Sequence, residues 1–329
     1  MKVALIEVGH WHAGMHLRSL LIGGADIVGI SDGQPGVAAA FAAQSGGKAF
    51  QNYREMLKTV QPEFVVALGR HVDMPAIAND LLQQGIPFAM EKPMATSADQ
   101  LAPLVETARQ RKAFVAVPFT NRYSPLWTHL EELEQAGRVG MRSHAHFRIV
   151  NGPPSRYKRD GVSWMLDPAI SGGGCLRNLG IHAVDAFLNF AGHEEVEVLG
   201  AAVSHRVHRE SIEEFVTAIL GSPNGVIGTV EAGYSFASLT GGDFEWRVSA
   251  ANCYLVERAG TLRVATLDDD QIQDLAVPRQ GNRYDLFCAD TMQRLRDGRP
   301  PIATIEDCYR AMRVIDEIYR KATVFPAES

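Results

Sequence analysis

The chain has few of the features that would place it outside the cell, in a membrane or on a nucleic acid. Among 329 residues there are four cysteines, Cys175, Cys253, Cys288 and Cys308, with no CxxC pair. A disulfide-stapled secreted fold is therefore not expected, and reduced thiols in the cytoplasm fit the spacing. The longest unbroken apolar run, Val37 to Ala43, has seven residues, whereas a membrane-spanning helix needs roughly 20. No basic segment with an apolar core precedes the first apparent strand, so no secretory leader is read. Positive charge is scarce as well. Thirty-two Lys and Arg against 38 Asp and Glu give a net charge of -6, so no overall field draws the chain to nucleic acid or anionic lipid. Internal repeats and low-complexity tracts are lacking.

What remains is an ordinary globular composition, 46% hydrophobic and 21% charged, at a length that predicts two domains of roughly 150 residues each. From residue 1 to about 118, apolar runs at Val3 to Val8, Asp26 to Ile30, Phe64 to Leu68, Pro87 to Met90 and Ala113 to Val117 alternate with helical patterns. That rhythm predicts βαβ units and a doubly wound parallel sheet. After residue 140 the pattern changes. Ala145, Phe147 and Ile149 alternate with His144, His146 and Arg148, a period of two that marks a strand with one buried face. Similar runs follow as far as Thr261 to Ala265, which predicts a large, mostly antiparallel open sheet in an α+β domain whose main helix is Leu179 to Phe190. The expected division is 1–120 for the doubly wound domain and 121–329 for the α+β domain. A last helix at about 305–322, with Thr304 as N-cap, is placed to pack back on the first domain.

The first strand runs into Gly9, His10, Trp11, His12, Ala13 and Gly14. Glycines at the first and third positions of a G-x-G-x-x-G fingerprint would allow a tight turn and close helix packing, with helix amides facing a pyrophosphate. Trp11 stands where the middle glycine belongs and is tolerable there only if its side chain points away. Asp32, 23 residues after Gly9, is near the spacing at which a carboxylate accepts the hydroxyls of an adenosine ribose and repels a 2′-phosphate, so NAD is expected over NADP. His10, His12 and His16 match no metal-binding spacing, and no metal is expected. Glu7, inside the otherwise apolar first strand, has no explanation from the sequence beyond proximity to this site.

The fourth run ends in Glu91-Lys92-Pro93, where an open parallel sheet binds its ligands. Further on, Asn178, His182, Asp185 and Asn189 interrupt a nearly all-apolar helix at i, i+4, i+7 and i+11. That spacing predicts one polar row facing a cleft, with His182 as general base. Trp164 and the cations Arg156, Lys158 and Arg159 lie, with Tyr157, in a loop before Gly172-Gly173-Gly174 and are candidates for substrate contact. His144, His146 and Arg148 face either the cleft or a subunit contact.

The Gly9 to Gly14 turn, Glu91-Lys92-Pro93, Asn121-Arg122-Tyr123, and the triple glycine followed by Asn178-Leu179-Gly180-Ile181-His182 together resemble the glucose-fructose oxidoreductase, inositol dehydrogenase and rhizopine-catabolism (Gfo/Idh/MocA) family. The resemblance runs to the ending Pro301-Ile302-Ala303-Thr304-Ile305-Glu306-Asp307. It implies a nicotinamide cofactor between two domains and oxidation or reduction of a secondary alcohol of a sugar, cyclitol or related polyol. It also implies Lys92, His182 and Asn178 as catalytic groups, Gly9, His10, Trp11, His12, Gly14, Asp32, Glu91 and Lys92 around the cofactor, and Lys92, Asn121, Trp164, Asn178 and His182 around the substrate. The expected assembly is a homodimer or homotetramer. Two features depart from the family pattern: Asn178 replaces an aspartate, and Leu68-Gly69 with Asp73 replace a Thr-Pro pair and a later histidine. Redox-neutral sugar hydrolysis or epimerisation, and a non-catalytic cofactor-binding regulator, are the competing expectations.

Overall fold

The computed structural model describes residues 1–192, 195–268, 270–277 and 280–326. The first sheet comprises β1 (Lys2–Ile6), β2 (Asp26–Ser31), β3 (Lys48–Phe50), β4 (Phe64–Ala67), β5 (Phe88–Met90) and β6 (Val115–Ala116). Between them run α1 (Ala13–Ile22), α2 (Pro35–Ser45), α3 (Tyr53–Val60), α4 (Met74–Gln84) and α5 (Ala98–Arg111). All five pairings are parallel, in the order β3-β2-β1-β4-β5-β6. This is the doubly wound arrangement of a Rossmann domain, whose strand order reverses between β1 and β4 and opens a crevice beyond their carboxyl ends. The four residues of β4 are all buried, as are the last four of β1. Burial on both faces is why these strands read as continuous apolar runs rather than alternating ones.

The chain then passes a 3₁₀ turn at Thr120–Tyr123 into α6 (Pro125–Gln135), β7 (Arg142–Asn151), α7 (Ser155–Arg159) and α8 (Pro168–Ser171). A π-helical turn at Leu176–Gly180 leads into α9 (Ile181–Ala191). Strands β8 (Glu197–Ser204), β9 (Phe215–Gly221), β10 (Ile227–Gly233), β11 (Gly242–Ala250), β12 (Cys253–Arg258), β13 (Thr261–Thr266) and β14 (Gln271–Ala276) follow, then α10 (Gln280–Arg296), α11 (Ile305–Lys321) and β15 (Thr323–Phe325). The nine strands order as β14-β13-β12-β11-β7-β10-β9-β8-β15, antiparallel except at β10–β7 and β15–β8. On β7 the period-two pattern resolves as read: Ala145, Phe147 and Ile149 are buried. His144, His146 and Arg148 therefore take the opposite face, away from the cleft, where His146 pairs with Thr229 and Arg148 with Glu231 and Asp243.

Two helices from the end of the chain return to the first domain. Phe287, Cys288 and Met292 of α10 share a core with Val3, Leu5, Leu17 and Leu20. Helix α11 packs on both α5 and α9, and Thr304 and Asp307 form a capping box at its start. The four cysteines are free and buried. Among the described residues no helix is long and apolar enough to cross a membrane.

Candidate active site

The β1–α1 turn is built around Asp32. Its Oδ2 accepts the Gly9 amide at 2.6 Å and its Oδ1 the Gln34 amide at 2.8 Å. A Cβ on residue 9 would lie 2.9 Å from Oδ2, so only glycine brings this amide to the carboxylate without a shift. Asp32 is buried, and its two oxygens retain lone pairs for further donors. Glu7, the residue left unexplained above, takes a left-handed backbone (φ 55°) at the end of β1. Burial pushes its carboxyl pKa up, and Asp32 beside it pushes the same way. Two acids thus flank the ribose end of the crevice.

The third glycine does not do what its position in the fingerprint predicts. A Cβ on Gly14 would meet nothing within 4 Å, whereas Ala13 is fully buried at the start of α1. Close packing of helix on strand therefore falls to Ala13, one residue earlier, where a methyl group still fits. Trp11 meets the condition its place in the turn sets, since its side chain points away from the turn glycines. Its ring turns toward the second domain, stacked on His10 at 3.8 Å and set against Tyr157 and Trp164 at 5.6 and 5.8 Å. The His12, Ala13 and Met15 amides already donate within the turn, but α1 has no side-chain cap, so the positive end of its dipole is open to an anion. The Nε2 of buried His10 also has no partner in the protein. A glycine-shaped turn, an uncapped helix start and a buried ribose-side carboxylate are the donor and acceptor set that a dinucleotide needs.

Glu91 lies deepest. His16 Nε2 approaches its Oε1 at 2.8 Å, His12 Nδ1 at 3.1 Å, and Tyr284 donates its hydroxyl at 3.1 Å, while Oε2 accepts the Lys92 amide at 3.2 Å. Burial alone would raise the carboxyl pKa. The histidine contacts outweigh it and hold Glu91 well below the usual carboxylate range. Lys92 is equally buried, and its Nζ donates to the Asn178 carbonyl at 2.9 Å and to Asn178 Oδ1 at 3.1 Å. Burial lowers its pKa, with Glu91 opposing. Asn178 Nδ2 in turn donates to Tyr157 at 2.7 Å and Tyr234 at 3.1 Å. Asn178 is thereby fixed by three side chains from three separate segments.

The triple glycine makes the approach of this segment possible. Gly173 has φ 146°, and a Cβ there would lie 2.3 Å from the Tyr319 hydroxyl of α11. The π-helical turn that follows carries Asn178 and delivers His182 at the second position of α9; such turns recur at functional sites. His182 is 8% exposed, edge-on to Phe119 at 5.7 Å, and its Nδ1 has no partner among the described residues. Burial drives its pKa well below the ordinary value, and Lys92 adds to the effect.

The expected polar row splits. Asn178 and His182 line the cleft, but Asp185 turns to Arg122, which donates at 2.6 and 3.0 Å, and Asn189 is solvent-exposed. From His182 onward the row lies in regular α-helix, so it keeps its face but advances roughly 1.5 Å per residue along the axis, which carries Asp185 and Asn189 past the cavity.

A cavity of about 380 Å³ joins these groups, lined by Trp11, His12, Lys92, Asn178 and His182 from the expected set. Arg156, Tyr157 and Tyr284 line it as well. Asn121 and Trp164 do not. Asn121 is buried and accepts from Arg283 at 2.9 Å, while Trp164 packs on Trp11 and, at 5.1 Å, on His71. Lys158 and Arg159 pair with Glu210 and Asp160 on the surface. Asp73 pairs with Arg70 on the surface. The buried histidine of that segment is His71, whose Nδ1 meets the Ser171 carbonyl at 2.7 Å and whose pKa burial brings down to about 3. Sequence reasoning missed Tyr284 entirely, because it enters from α10, 193 residues beyond the glutamate it contacts. A larger open groove of about 920 Å³, between α11 and the ends of β8 and β9, contains none of these residues.

Comparison with known proteins bears on the family and the fold. Residues 1–119 match the model of the oxidoreductase family with an NAD-binding Rossmann fold, and residues 127–251 that of the GFO/IDH/MocA C-terminal domain. Inositol 2-dehydrogenase 2 of Saccharopolyspora erythraea is 24% identical over 72% of this chain and 68% of its own length. Trans-1,2-dihydrobenzene-1,2-diol dehydrogenase of Mus musculus is 25% identical over 55% of this chain, which spans about half, 52%, of that relative. Among solved structures, a levoglucosan dehydrogenase in complex with NADH and levoglucosan superposes with a TM-score of 0.87 at 17% identity, over 98% of this chain and 96% of that one. A 3-ketoreductase from Actinomadura kijaniata, in complex with NADP, gives 0.80 at 18% identity over 99% of both chains. Two matched domains in sequence order, on a Rossmann sheet facing a large open sheet, make this chain a dehydrogenase or reductase of the GFO/IDH/MocA oxidoreductase family.

Proposed function

We propose that the chain is an NAD-dependent dehydrogenase of a secondary alcohol in a sugar, cyclitol or related polyol, working in the cytoplasm as a homo-oligomer. The observation that carries this reading is the convergence of Lys92 Nζ, Asn178 and His182 on one cavity beside the β1–α1 turn. The cofactor would be held by Gly9, the amides at the start of α1, and Asp32; when bound, it supplies hydride acceptance or donation. Everything else is done by the chain. His182, neutral because burial disfavours its charged form, accepts the hydroxyl proton. Lys92, whose ammonium is fixed by Asn178, stabilises the negative charge that develops on the same oxygen. Trp11, Tyr157 and Tyr284 narrow the cavity around that atom and limit access of water.

Asp32, buried at the ribose end with half-buried Glu7 beside it, favours NAD over NADP, since a 2′-phosphate would meet the Asp32 carboxylate. Nicotinamide absorbance followed across a panel of sugars, cyclitols and sugar acids, with each cofactor, tests both statements. Turnover with NAD that exceeds turnover with NADP is expected, and Asp32→Ala should narrow the difference. A wild-type preference for NADP contradicts the cofactor assignment, and product formation with no absorbance change contradicts the dehydrogenase assignment.

A further inference from the structure

The cavity holds two cations without carboxylate partners. Lys92 spends its hydrogen bonds on a carbonyl and an amide oxygen, both neutral. Glu91, the acid behind it, is already engaged by His12, His16 and Tyr284. Arg156 is the second cation. It stands on α7, lines the same cavity, and forms no ion pair among the described residues. Its guanidinium carbon lies 5.7 Å from the Tyr157 ring centre, and its Nε is buried without a hydrogen-bond partner. The contrast within α7 is informative. Lys158 pairs with Glu210 at 2.7 Å and Arg159 with Asp160 at 2.7 Å, and Asp160 is the nearby acid that feels the field of Arg156. Asp243, the one acid lining the cavity among the described residues, is held by Arg148 and Arg258.

Burying part of a cation with no counter-charge is costly, and the cost is relieved when a ligand brings the missing anion. Arginine's planar fork matches a carboxylate with two parallel hydrogen bonds. We infer that the substrate is an anionic polyol, a sugar acid whose carboxylate is held by Arg156 while a secondary hydroxyl lies between Lys92 and His182. This inference rests on the dehydrogenase reading and narrows its substrate class. Asn178 fits the same logic, because a carboxylate at that position would neutralise Lys92 and weaken the attraction.

The test compares D-glucuronate and D-gluconate with D-glucose, myo-inositol and D-glucose 6-phosphate, by NAD-coupled kcat/KM and by equilibrium titration into the NADH-bound protein. The acids should exceed the neutral polyols by tenfold or more in kcat/KM or in affinity. Arg156→Gln should collapse that ratio chiefly through KM, and Arg156→Lys should restore part of it. Neutral polyols binding as well as the acids would overturn the inference. So would a ratio unchanged in Arg156→Gln, a preference for the phosphate over both carboxylates, or a loss of NADH affinity in Arg156→Gln equal to the loss for D-glucuronate. The two readings fail separately: turnover of neutral polyols without preference for acids removes only the charge inference. Preferential binding of the acids with no turnover of any compound removes only the dehydrogenase.

Discussion

On the proposed reading Lys92 and His182 act on one oxygen in different ways, the base taking its proton and the ammonium offsetting its charge, and that division predicts how each fails. Neither belongs to the Asp32 turn, so replacing either by Ala should lower kcat by about 10² to 10⁴, the usual worth of acid-base or charge assistance, and leave NADH binding in place. Stopped-flow rates beside an NADH titration check this. A His182→Ala rate within a fewfold of wild type would place the proton elsewhere. The pH dependence follows from the direction of the His182 shift. A base with lowered pKa is already deprotonated at neutrality, so the oxidation rate should be level through pH 7 and fall only below the ordinary histidine value near 6.5. Because Lys92 contributes to the lowering, Asn178→Asp, which sets a carboxylate beside it, should move the acid limb upward. A kcat/KM profile unmoved by that change would contradict the coupling. Lys92, Asn178 and His182 were legible in the sequence because their types are rare in apolar surroundings. Arg156 was one of three loop cations that the sequence does not rank, and Tyr284 was not read at all, since a cation in a charged loop and a tyrosine in an amphipathic helix look alike whether they meet solvent or a cavity.

Elements, rather than single residues, hold the two domains at the distance the site requires. Arg122, in the 3₁₀ turn that leaves the Rossmann sheet, donates to Asp185 of α9 at 2.6 Å and to the Ile302 carbonyl at 2.7 Å, and lies 3.2 Å from Asp307 of α11. Both partners of the first pair are nearly excluded from water, at 13% and 4% side-chain exposure. Truncating Arg122 to Ala strands a buried carboxylate and should cost about 3–5 kcal/mol of stability. Denaturant unfolding measures it, and a loss under about 1 kcal/mol would mean that water reaches Asp185 in the variant. Element type was readable wherever burial imposed a period: β1, β4 and β7 follow from apolar runs and alternation, and α11 from its capping residues. Strand β3, three residues with two of them exposed, has too little buried surface to leave a pattern. The π-helical turn at Leu176–Gly180 was invisible for a different reason. The triple glycine just before it fits closely against Thr96, Tyr319 and Glu213, all remote in sequence, so no local pattern announces the turn.

At the scale of the whole molecule, one large surface has no covering layer among the described residues. The nine-stranded sheet buries Ala145, Phe147 and Ile149 beneath its helices, while its other face presents His146 beside Thr229, and Thr229 beside Ile219. Ile219 and Ile227 on that face are 46% and 51% exposed. A broad sheet face with apolar positions among paired polar ones is the kind of surface that two-fold symmetry covers, because a patch on the axis needs only to complement itself. The expected species in solution is therefore a dimer, or a tetramer of such dimers, of the 36.0 kDa chain. Light scattering at micromolar concentration reads the mass directly. Ile219→Asp places a charge at the centre of the proposed contact, where desolvating it without a partner is costly, and should shift the population toward the monomer without unfolding it, since the side chain is half exposed in the isolated chain. A wild-type mass of one chain, or an assembly that Ile219→Asp and a like change at Ile227 leave intact, would mean that the open face meets solvent and that any oligomer forms through another surface.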